Sequence, residues 1–333
     1  MTISYHIANL ILYFEMLLMI GTIVFLIFFR MISRWKKKRG EQRKGELSSK
    51  ILHYLNKKTQ HRKKRFYYQG DFLELLQVVE SFEHRLNAEE WQILKKEIVD
   101  HSLRPKAKKL ATSRNWQKRA LAARIFRLAP TLQEEDLLLL LIQDPSFFVR
   151  SFAAAAALSI ASPRLIHACI EQMGREKGYA RYFFNDLLAS GSKEVLDHLI
   201  DYAKKGKEPL VCLEVLGART LSFPLTFLET YLTSTAIDVQ RAALQVFVRN
   251  PQREAVTHFI KHAKNTDEKI RVIAAKGLGF FPHEIGKESL TQFLHDPSWQ
   301  VRWEAAKSLR KQGAWGLLLK EGGEMTDYIL RFG

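Results

Sequence analysis

Two stretches of this chain are near-copies of one another. Residues 144–150 read DPSFFVR and residues 296–302 read DPSWQVR, and both run on into a segment rich in small residues. Internal repetition constrains a fold more strongly than any single motif, because every copy must form the same structural unit. A chain built in this way predicts a repeat architecture.

The two copies belong to a longer series with a nearly constant period. The Val-Arg pair that begins at residue 149 recurs, with decay, at positions 118, 149, 180, 211, 239, 270 and 301. Every step is 31 residues except the step from 211 to 239, which is 28 residues. Seven weak matches at one period predict seven repeats far more strongly than any one match would.

Each period has room for two short helices joined by turns. The second helix is predicted to start at the Asp-Pro-Ser turn, with Pro145 and Pro297 in its first turn, where no backbone N–H is needed. The first helix carries bulkier apolar residues, as in 137–142, and its acidic start at 134–136 suits the positive end of a helix. One such hairpin cannot bury its apolar face alone, whereas a stack can. We therefore predict an all-α fold, a right-handed α-solenoid preceded by one transmembrane helix.

This pattern resembles HEAT repeats, and the short bacterial variety in particular. The resemblance rests on the Asp-Pro-Ser turn, the Val-Arg pair and the Ala-Ala that follows it, over about residues 105–318. In that family the turn aspartate and the helix arginine form a ladder between successive repeats. The resemblance implies a structural ladder here, with Arg119 also at the arginine position, made of Asp144, Arg150, Arg181, Arg271, Asp296 and Arg302.

Two positions depart from the family pattern. Cys212 and Gln240 stand where arginine is expected, beside the 28-residue step. Two interpretations are open: a local change in the curvature of the stack, or the ordinary decay of a repeat. The resemblance predicts the fold and says little about function, because HEAT arrays serve many unrelated tasks.

An almost unbroken apolar run, residues 7–29, precedes the repeats. As a helix rising 1.5 Å per residue it spans about 34 Å, enough to cross the hydrocarbon core of a bilayer. A cleavable signal peptide would need Lys or Arg before the run, a shorter run and a small-residue cleavage site, and the sequence has none of these. We predict a permanent single-pass anchor within residues 1–30. The Lys and Arg that follow it predict an outer N-terminus and a cytoplasmic solenoid on a bacterial-type inner membrane.

One ionisable residue, Glu15, lies inside this apolar run. Placing a carboxyl group inside the bilayer costs free energy, so such a residue commonly marks a contact with a partner or a pathway for ions or protons. One interpretation is a protonated or water-reaching side chain near the interface. The other is that Glu15 pairs with a polar group on another transmembrane helix, with Gly21 and Thr22 supporting close helix packing.

Most of the positive charge lies in one segment beside the anchor. Of a net charge of +17, residues 30–65 account for +13, from 15 Lys and Arg against two Glu. Leu47, Ile51, Tyr54 and Leu55 share one helical face, which predicts a basic amphipathic helix on an anionic lipid surface. The alternative is that the charges only set the topology and stay solvated. The predicted membrane-surface residues are Arg34, Trp35, Lys36, Lys37, Lys38 and Arg39.

The remaining boundaries follow from composition and turn residues. Residues 31–65 are predicted as a basic juxtamembrane helix or linker. Residues 66–104 are predicted as a helical hairpin that caps the solenoid, with Asp71 capping its first helix. The solenoid then covers residues 105–318, and the C-terminal tail, residues 319–333, either folds back as a second cap or docks into a groove on a partner.

The sequence offers no recognised catalytic or cofactor motif. Gly277-Leu278-Gly279 lacks the third glycine and the preceding strand of a dinucleotide site, so helix packing explains it better. His258 and His262 have metal-like spacing, but a zinc site needs a third ligand, and we interpret both as surface polar residues. Cys212 has the apolar setting of a buried thiol. We predict a protein that is not an enzyme, with no cofactor, metal or small-molecule substrate.

The function that the sequence favours is that of a membrane-anchored scaffold. A solenoid offers a long surface that suits a protein partner, within a membrane complex such as envelope or polysaccharide-synthesis machinery. One alternative is an accessory or lyase-type HEAT protein that acts on another protein, as in bilin attachment. A second is nucleic-acid binding, which the small net charge outside residues 30–65 makes unlikely.

Overall fold

The computed structural model describes residues 2–58, 66, 68, 70–83, 85–86, 88–220 and 226–332. All regular structure within these ranges is helical, which confirms the all-α prediction. The chain divides into two compact units, residues 1–109 and residues 110–333, and each is described below by itself.

The first unit begins with one long helix, α1 (Thr2–Lys58). The predicted anchor and the first part of the predicted basic segment are therefore a single continuous helix of about 85 Å at 1.5 Å per residue. The rest of the basic segment, residues 59–65, lies outside the described residues. Side chains between Met16 and Phe29 are exposed, as expected of a helix that has no protein neighbour over this stretch.

The end of α1 packs against a helical hairpin, α2 (Phe72–Glu83) and α3 (Glu89–Ile98). Leu47 and Ile51, with exposed fractions of 2% and 0%, are buried in this unit. The predicted lipid contact of this helical face is therefore wrong, because its two central side chains already lie in a protein core. An ion pair of 3.0 Å between Arg43 Nη2 and Glu74 Oε1 and an edge contact between Tyr54 and Phe66 lie beside it.

The hairpin itself forms where the sequence predicted one. Asp71 caps α2 by accepting the backbone N–H of Leu73 at 2.8 Å. Phe82 and Trp91 pack edge to face across the hairpin with ring centres 5.4 Å apart. A single π-helical turn (Val99–Leu103) joins α3 to α4 (Arg104–Ala111). Asn87, which with Glu90 has the spacing of a capping box and so predicts a second cap, lies outside the described residues.

The second unit is a stack of helical hairpins, and the seven anchor positions of the repeat occupy equivalent places in it. Each of the seven anchor positions is the third residue of a second helix. Those second helices are α5 (Trp116–Leu128), α7 (Phe147–Ile160), α9 (Gly178–Ala189), α11 (Pro209–Gly217), α13 (Ile237–Arg249), α15 (Glu268–Leu278) and α17 (Trp299–Lys311). The helices between them are α6 (Glu135–Ile142), α8 (Pro163–Arg175), α10 (Lys193–Lys204), α12 (Glu229–Leu232), α14 (Ala255–His262) and α16 (His283–Leu294).

Small residues bring successive second helices together. Ala153 and Ala154 of α7, like Ala305 and Ala306 of α17, are fully buried. The missing side-chain volume lets the neighbouring helix axis approach, while the larger residues of the first helices fill the space behind. The alanine pairs that mark the repeat in the sequence are thus its packing contacts.

The Asp-Pro-Ser turn differs in one respect from the prediction. Ser146 and Ser298 are the N-caps of α7 and α17, so Pro145 lies before the helix and not in its first turn. The aspartate closes the turn instead, because Asp144 Oδ1 accepts the Ser146 N–H at 2.8 Å and Asp296 repeats this contact at the same distance.

The short step in the period corresponds to a short first helix. Between α11 and α13 the described chain forms a 3₁₀ turn (Thr226–Leu228) and the single helical turn α12, while residues 221–225 lie outside the description. The last helices, α18 (Trp315–Glu321) and α19 (Glu324–Phe332), fold back on α17. Met325 and Ile329 are buried there, so the described part of the tail covers the end of the core.

Candidate protein interface on the second helices

A repeating arginine contact holds each second helix to its own turn and to the next repeat. Arg271 donates from Nη1 to the carbonyl oxygens of Asn265 and Thr266, at 2.9 and 3.0 Å. Its other edge reaches Asp296, 25 residues later, with Nε–Oδ2 at 2.7 Å and Nη2–Oδ1 at 3.0 Å. The planar guanidinium suits this double role, since its donors point in two directions at once.

The same contact recurs elsewhere, with different carboxylates. Arg119 pairs with Asp144 in the same two-pronged way. Arg150 instead lies 2.6 Å from Glu176, and Arg181 lies 2.7 Å from Glu214. The sequence did not single out these two glutamates, because only aspartates in Asp-Pro-Ser turns were recognisable by pattern.

Two rungs depart from the pattern. Gln240 stands at the arginine position of α13, but Arg241, one residue later, reaches Asp238 at 2.7 Å and Asp267 at 3.8 Å. Cys212 fills the position on α11 as a buried thiol. At the last repeat Arg302 donates to the carbonyls of Asp296 and Pro297, and among the described residues it contacts no carboxylate.

Charge pairing stabilises the ionised form of two of these arginines. The hydrogen bond that Arg271 donates to Asp296 is the largest cause that raises the pKa of Arg271, and the bond that Arg119 donates to Asp144 does the same for Arg119. The paired aspartates are almost fully enclosed, with side-chain exposures of 8% and 5%. Each carboxylate is occupied by its own arginine, so this ladder offers no free acid or base for catalysis.

Beside the ladder, the N-terminal ends of α5, α7 and α9 carry a continuous row of aromatic rings. Ring centres of Trp116 and Phe148 lie 5.8 Å apart in a stacked arrangement. Phe147 contacts Phe148 at 6.1 Å, Tyr179 at 5.9 Å and Phe183 at 5.4 Å, the last two edge to face. These five residues, the aromatic row, connect three consecutive repeats.

Three of the five rings in the aromatic row are open to solvent, and Phe147 and Phe183 are half-buried. Trp116 is 44% exposed, Phe148 58% and Tyr179 76%, and Tyr182, one turn along α9, is 72% exposed. Contiguous exposed rings on a folded surface are unusual and mark interaction sites. Sequence reasoning missed the row, although aromatic residues at the first two positions of successive second helices were a signal that could have found it.

A separate shallow groove lies towards the C-terminal ends of α7 and α9. It has a volume of about 550 Å³, and its lining includes Ala155, Ser159, Ala161, Ser190, Gly191 and Glu194. The aromatic row lies at the opposite, N-terminal ends of these helices.

The thiols and histidines do not build a reactive centre. Burial raises the pKa of Cys169 and of Cys212 to about 12, which leaves both as neutral thiols at physiological pH. His262 is buried, with its ring nitrogens 2.8 Å from the carbonyl of His258 and 3.2 Å from that of Leu232. His258 stacks on Phe247. Within the described chain no group of three or more His, Cys, Asp or Glu residues is arranged to hold a metal ion.

A family model of HEAT repeats matches residues 225–310. This stretch of the chain carries HEAT repeats. The recognition from the Asp-Pro-Ser, Val-Arg and Ala-Ala pattern is confirmed, although that pattern was assigned over a longer stretch than the match covers. No curated protein matches the chain.

Three solved structures that resemble this chain are engineered proteins. One engineered protein from a structural genomics consortium is 19% identical over 77% of this chain and 80% of its own, with a TM-score of 0.34. A second is 20% identical over 63% of this chain and 96% of its own, with a TM-score of 0.27. A designed armadillo repeat protein is 16% identical over 63% of this chain and 99% of its own, with a TM-score of 0.28. These likenesses say nothing about function.

The N-terminal helix supplies a candidate anchor for the HEAT repeats. Residues 15–55 of α1 include a stretch with a mean hydropathy of 2.3 and no buried side chain, and by length and composition this helix can cross a membrane. Glu15 is exposed on it. A Cβ added at Gly21 would meet no atom within 4 Å, and the Thr22 hydroxyl donates to the carbonyl of Met19 at 2.8 Å.

The predicted membrane-surface residues lie on the solvated stretch of α1 between the apolar run and the buried Leu47. The guanidinium of Arg39 sits 4.7 Å from the centre of the Trp35 ring. Farther along the helix, Lys44 and Glu41 pair at 2.9 Å, and the hydrogen bond from Lys44 lowers the pKa of Glu41. The remaining predicted residues, all exposed, are Arg34, Lys36, Lys37 and Lys38.

Proposed function

We propose that this protein is a non-catalytic adaptor that holds a protein partner at the cytoplasmic face of the inner membrane. In this proposal residues 7–29 of α1 span the bilayer with the N-terminus outside, and the HEAT repeats bind the partner through the aromatic row. The host would be a membrane-associated complex, for which envelope or polysaccharide-synthesis machinery is our candidate. The single observation that carries the proposal is the exposed row itself.

Exposed rings of this kind are typical of protein interfaces. Trp and Tyr dominate the binding energy of interfaces, because they bury a large area with few rotatable bonds. Membrane tethering would add to this, since confinement raises the effective concentration of each partner and lets a weak contact matter. The ladder supports the same role by fixing the second helices that display the row.

The anchor contributes location and, in our proposal, a second contact. Glu15 would pair with a polar group on a transmembrane helix of the same complex, where Gly21 allows a close approach. Arg34, Trp35 and Lys36 to Arg39 would lie at the anionic lipid surface. The buried face at Leu47 and Ile51 would then keep the end of α1 on the protein instead of on the membrane.

The test is recovery of crosslinked partners from intact membranes. We would compare the full-length protein, a copy lacking residues 1–30, and the double variant Phe148→Ala with Tyr179→Ala. The matched control is Leu140→Ala with Ile237→Ala, which removes two exposed apolar side chains outside the row.

The proposal expects a partner that is lost in the row variant and kept in the control. Loss of that partner without residues 1–30, or with Glu15→Leu, would show that the anchor also recognises something. The proposal fails if the row variant recovers the same proteins as the unaltered chain. It also fails if the full-length protein is released from membranes by alkaline carbonate, which strips peripheral proteins.

A further inference from the structure

We propose that the aromatic row binds an extended, acidic, proline-containing segment of the partner protein. This inference rests on the proposed function and names the chemistry of its partner. Two observations carry it: the spacing of the rings and the distribution of charge around them.

The direction of the row favours an extended segment over a helix. The rings cross three neighbouring helices, and packed helices lie about 8–10 Å apart, so the row is about 20 Å long. A polyproline II segment rises about 3.1 Å per residue and covers this length with six or seven residues. Aromatic ridges such as those formed by Trp116, Phe148 and Tyr179 are the surfaces on which proline rings pack, at little cost in chain entropy.

The charge beside the row is positive. Arg114 and Lys118 flank Trp116, and Arg175 and Lys177 precede Tyr179. All four are exposed, and within the described residues none of them pairs with a carboxylate. On α5, α7 and α9 the sole carboxylate is that of Asp186, so an acidic segment meets little repulsion and several cations.

A nucleic-acid strand has similar needs, since bases stack on aromatic rings and phosphates contact cations. The geometry of the row favours a peptide instead. Phe147 meets Tyr179 and Phe183 edge to face, with angles of 69° and 83° between the ring planes, so the rings of the row do not present a series of parallel faces. Proline and aliphatic side chains pack against rings in either orientation, whereas successive stacked bases need successive parallel faces.

The experiment measures fluorescence anisotropy with the full-length protein in an uncharged detergent. The probe is a labelled peptide of four Pro-Pro-Glu units. Three comparison probes are Pro-Pro-Lys and Gly-Ser-Glu peptides of the same length and a twelve-nucleotide oligouridylate. The protein variants are Phe148→Ala with Tyr179→Ala, and Lys118→Glu with Lys177→Glu. The charge control is Lys269→Glu with Lys276→Glu on α15.

We expect the Pro-Pro-Glu peptide to bind at least tenfold more tightly than either comparison peptide. Each row or charge variant should weaken it tenfold or more, the α15 control should not, and added salt should reduce the affinity. Equal binding of the acidic and basic peptides, or no binding up to about 1 mM, overturns the inference. Tighter binding of oligouridylate that the row variant abolishes also overturns it, in favour of a nucleic-acid partner.

The outcome separates this inference from the proposed function. If a crosslinked membrane partner depends on Phe148 and Tyr179 but the acidic peptide does not bind, the adaptor role stands and the assigned chemistry is wrong. If the peptide binds at the row while no membrane partner depends on it, the peptide site stands and the adaptor role fails.

Discussion

The second helices of the first three repeats and those of the last four share the same buried arrangement. Their exposed side chains differ. In both regions the anchor residue is the third of its helix, and an arginine joins the turn to the next repeat. Outside, α5, α7 and α9 display aromatic rings, whereas α13 and α15 display the exposed carboxylates of Asp238 and Glu268 near their starts. Positions that hold the stack together keep their chemistry, and positions facing solvent are free to specialise.

Trp299 shows why residue type alone does not make an interface. It begins α17 as Trp116 begins α5, but it stacks on Trp303 at 5.6 Å and meets Tyr328 of α19 edge to face. Trp116 and Trp299 are equally exposed, at 44% each, but only Trp299 contacts a folded-back tail of the same chain.

The largest expected effect concerns the arginine contact, which both regions contain. Arg119→Ala and Arg271→Ala should each destabilise the fold by about 3–5 kcal/mol, because each leaves an enclosed aspartate unpaired. Arg302→Ala, which loses only carbonyl bonds, should cost about 1–2 kcal/mol. Thermal unfolding of the full-length chain, followed by circular dichroism, measures all three. Equal losses of stability in the Arg302→Ala and Arg271→Ala variants would show that pairing with the carboxylate does not account for the destabilisation.

A smaller effect is expected where helices approach most closely. A Cβ added to Gly277 would lie 2.3 Å from the Phe259 ring, so Gly277→Ala should cost about 1–3 kcal/mol through forced displacement. Gly316 is the matched control, since nothing lies within 4 Å of an added Cβ there. Its change to Ala should leave the melting temperature unchanged or slightly raised. A neutral Gly277→Ala would mean that Phe259 moves aside freely.

Truncation of the open rings should hardly affect stability. Phe148→Ala with Tyr179→Ala should change the free energy of unfolding by no more than about 1 kcal/mol, because both side chains are mostly exposed. Trp299→Ala should cost more, about 1–3 kcal/mol, since its ring is less exposed and loses contacts with both Trp303 and Tyr328. The same melting experiment compares them. A row variant that unfolds as readily as Trp299→Ala would show that the row stabilises the fold.

The smallest expected effect concerns pH. Burial is the largest cause that lowers the pKa of His167, and His198, Lys205 and Lys207 on or after α10 add to it, opposed by Asp201. Burial likewise lowers the pKa of His258, opposed by Glu229.

A lowered folded pKa means that the unfolded chain binds the proton more readily. These histidines therefore contribute stability that is present above about pH 6.5 and lost as the pH falls from there towards the folded pKa. Replacing His167 or His258 by Gln should reduce the loss of melting temperature between pH 7 and pH 5, by about 1–2 °C each. The exposed His101 is the control. If the His167→Gln variant loses as much melting temperature between pH 7 and pH 5 as the unaltered chain, His167 does not contribute to the loss.

Much of the fold was predictable because the repeat signal occurs several times along the sequence. Val149 and Val301 set a register that holds for every second helix, although individual matches such as Ala180 and Val211 are weak. The ladder was only partly predictable. Arg150 was identified from its Asp-Pro-Ser turn, but its carboxylate belongs to Glu176, in the following repeat, and no local pattern marks such a pairing.

The lipid-facing interpretation of Leu47 and Ile51 failed for a related reason. Helical spacing shows that two apolar side chains share a face, but it cannot show what covers that face. Packing on a membrane surface and packing on a neighbouring hairpin both require apolar side chains on one face of the helix. Only the position of α2 against the end of α1 decides between them.

The sequence by itself determined the helical class, the 31-residue register and the candidate anchor, because period and hydrophobicity act locally and recur along the chain. The tertiary structure decided which carboxylate completes each arginine contact, which apolar faces are covered and which rings stay open. Those outcomes depend on which distant segments come to lie side by side. The exposed row from Trp116 to Phe183, on which the proposed function rests, belongs to this second kind.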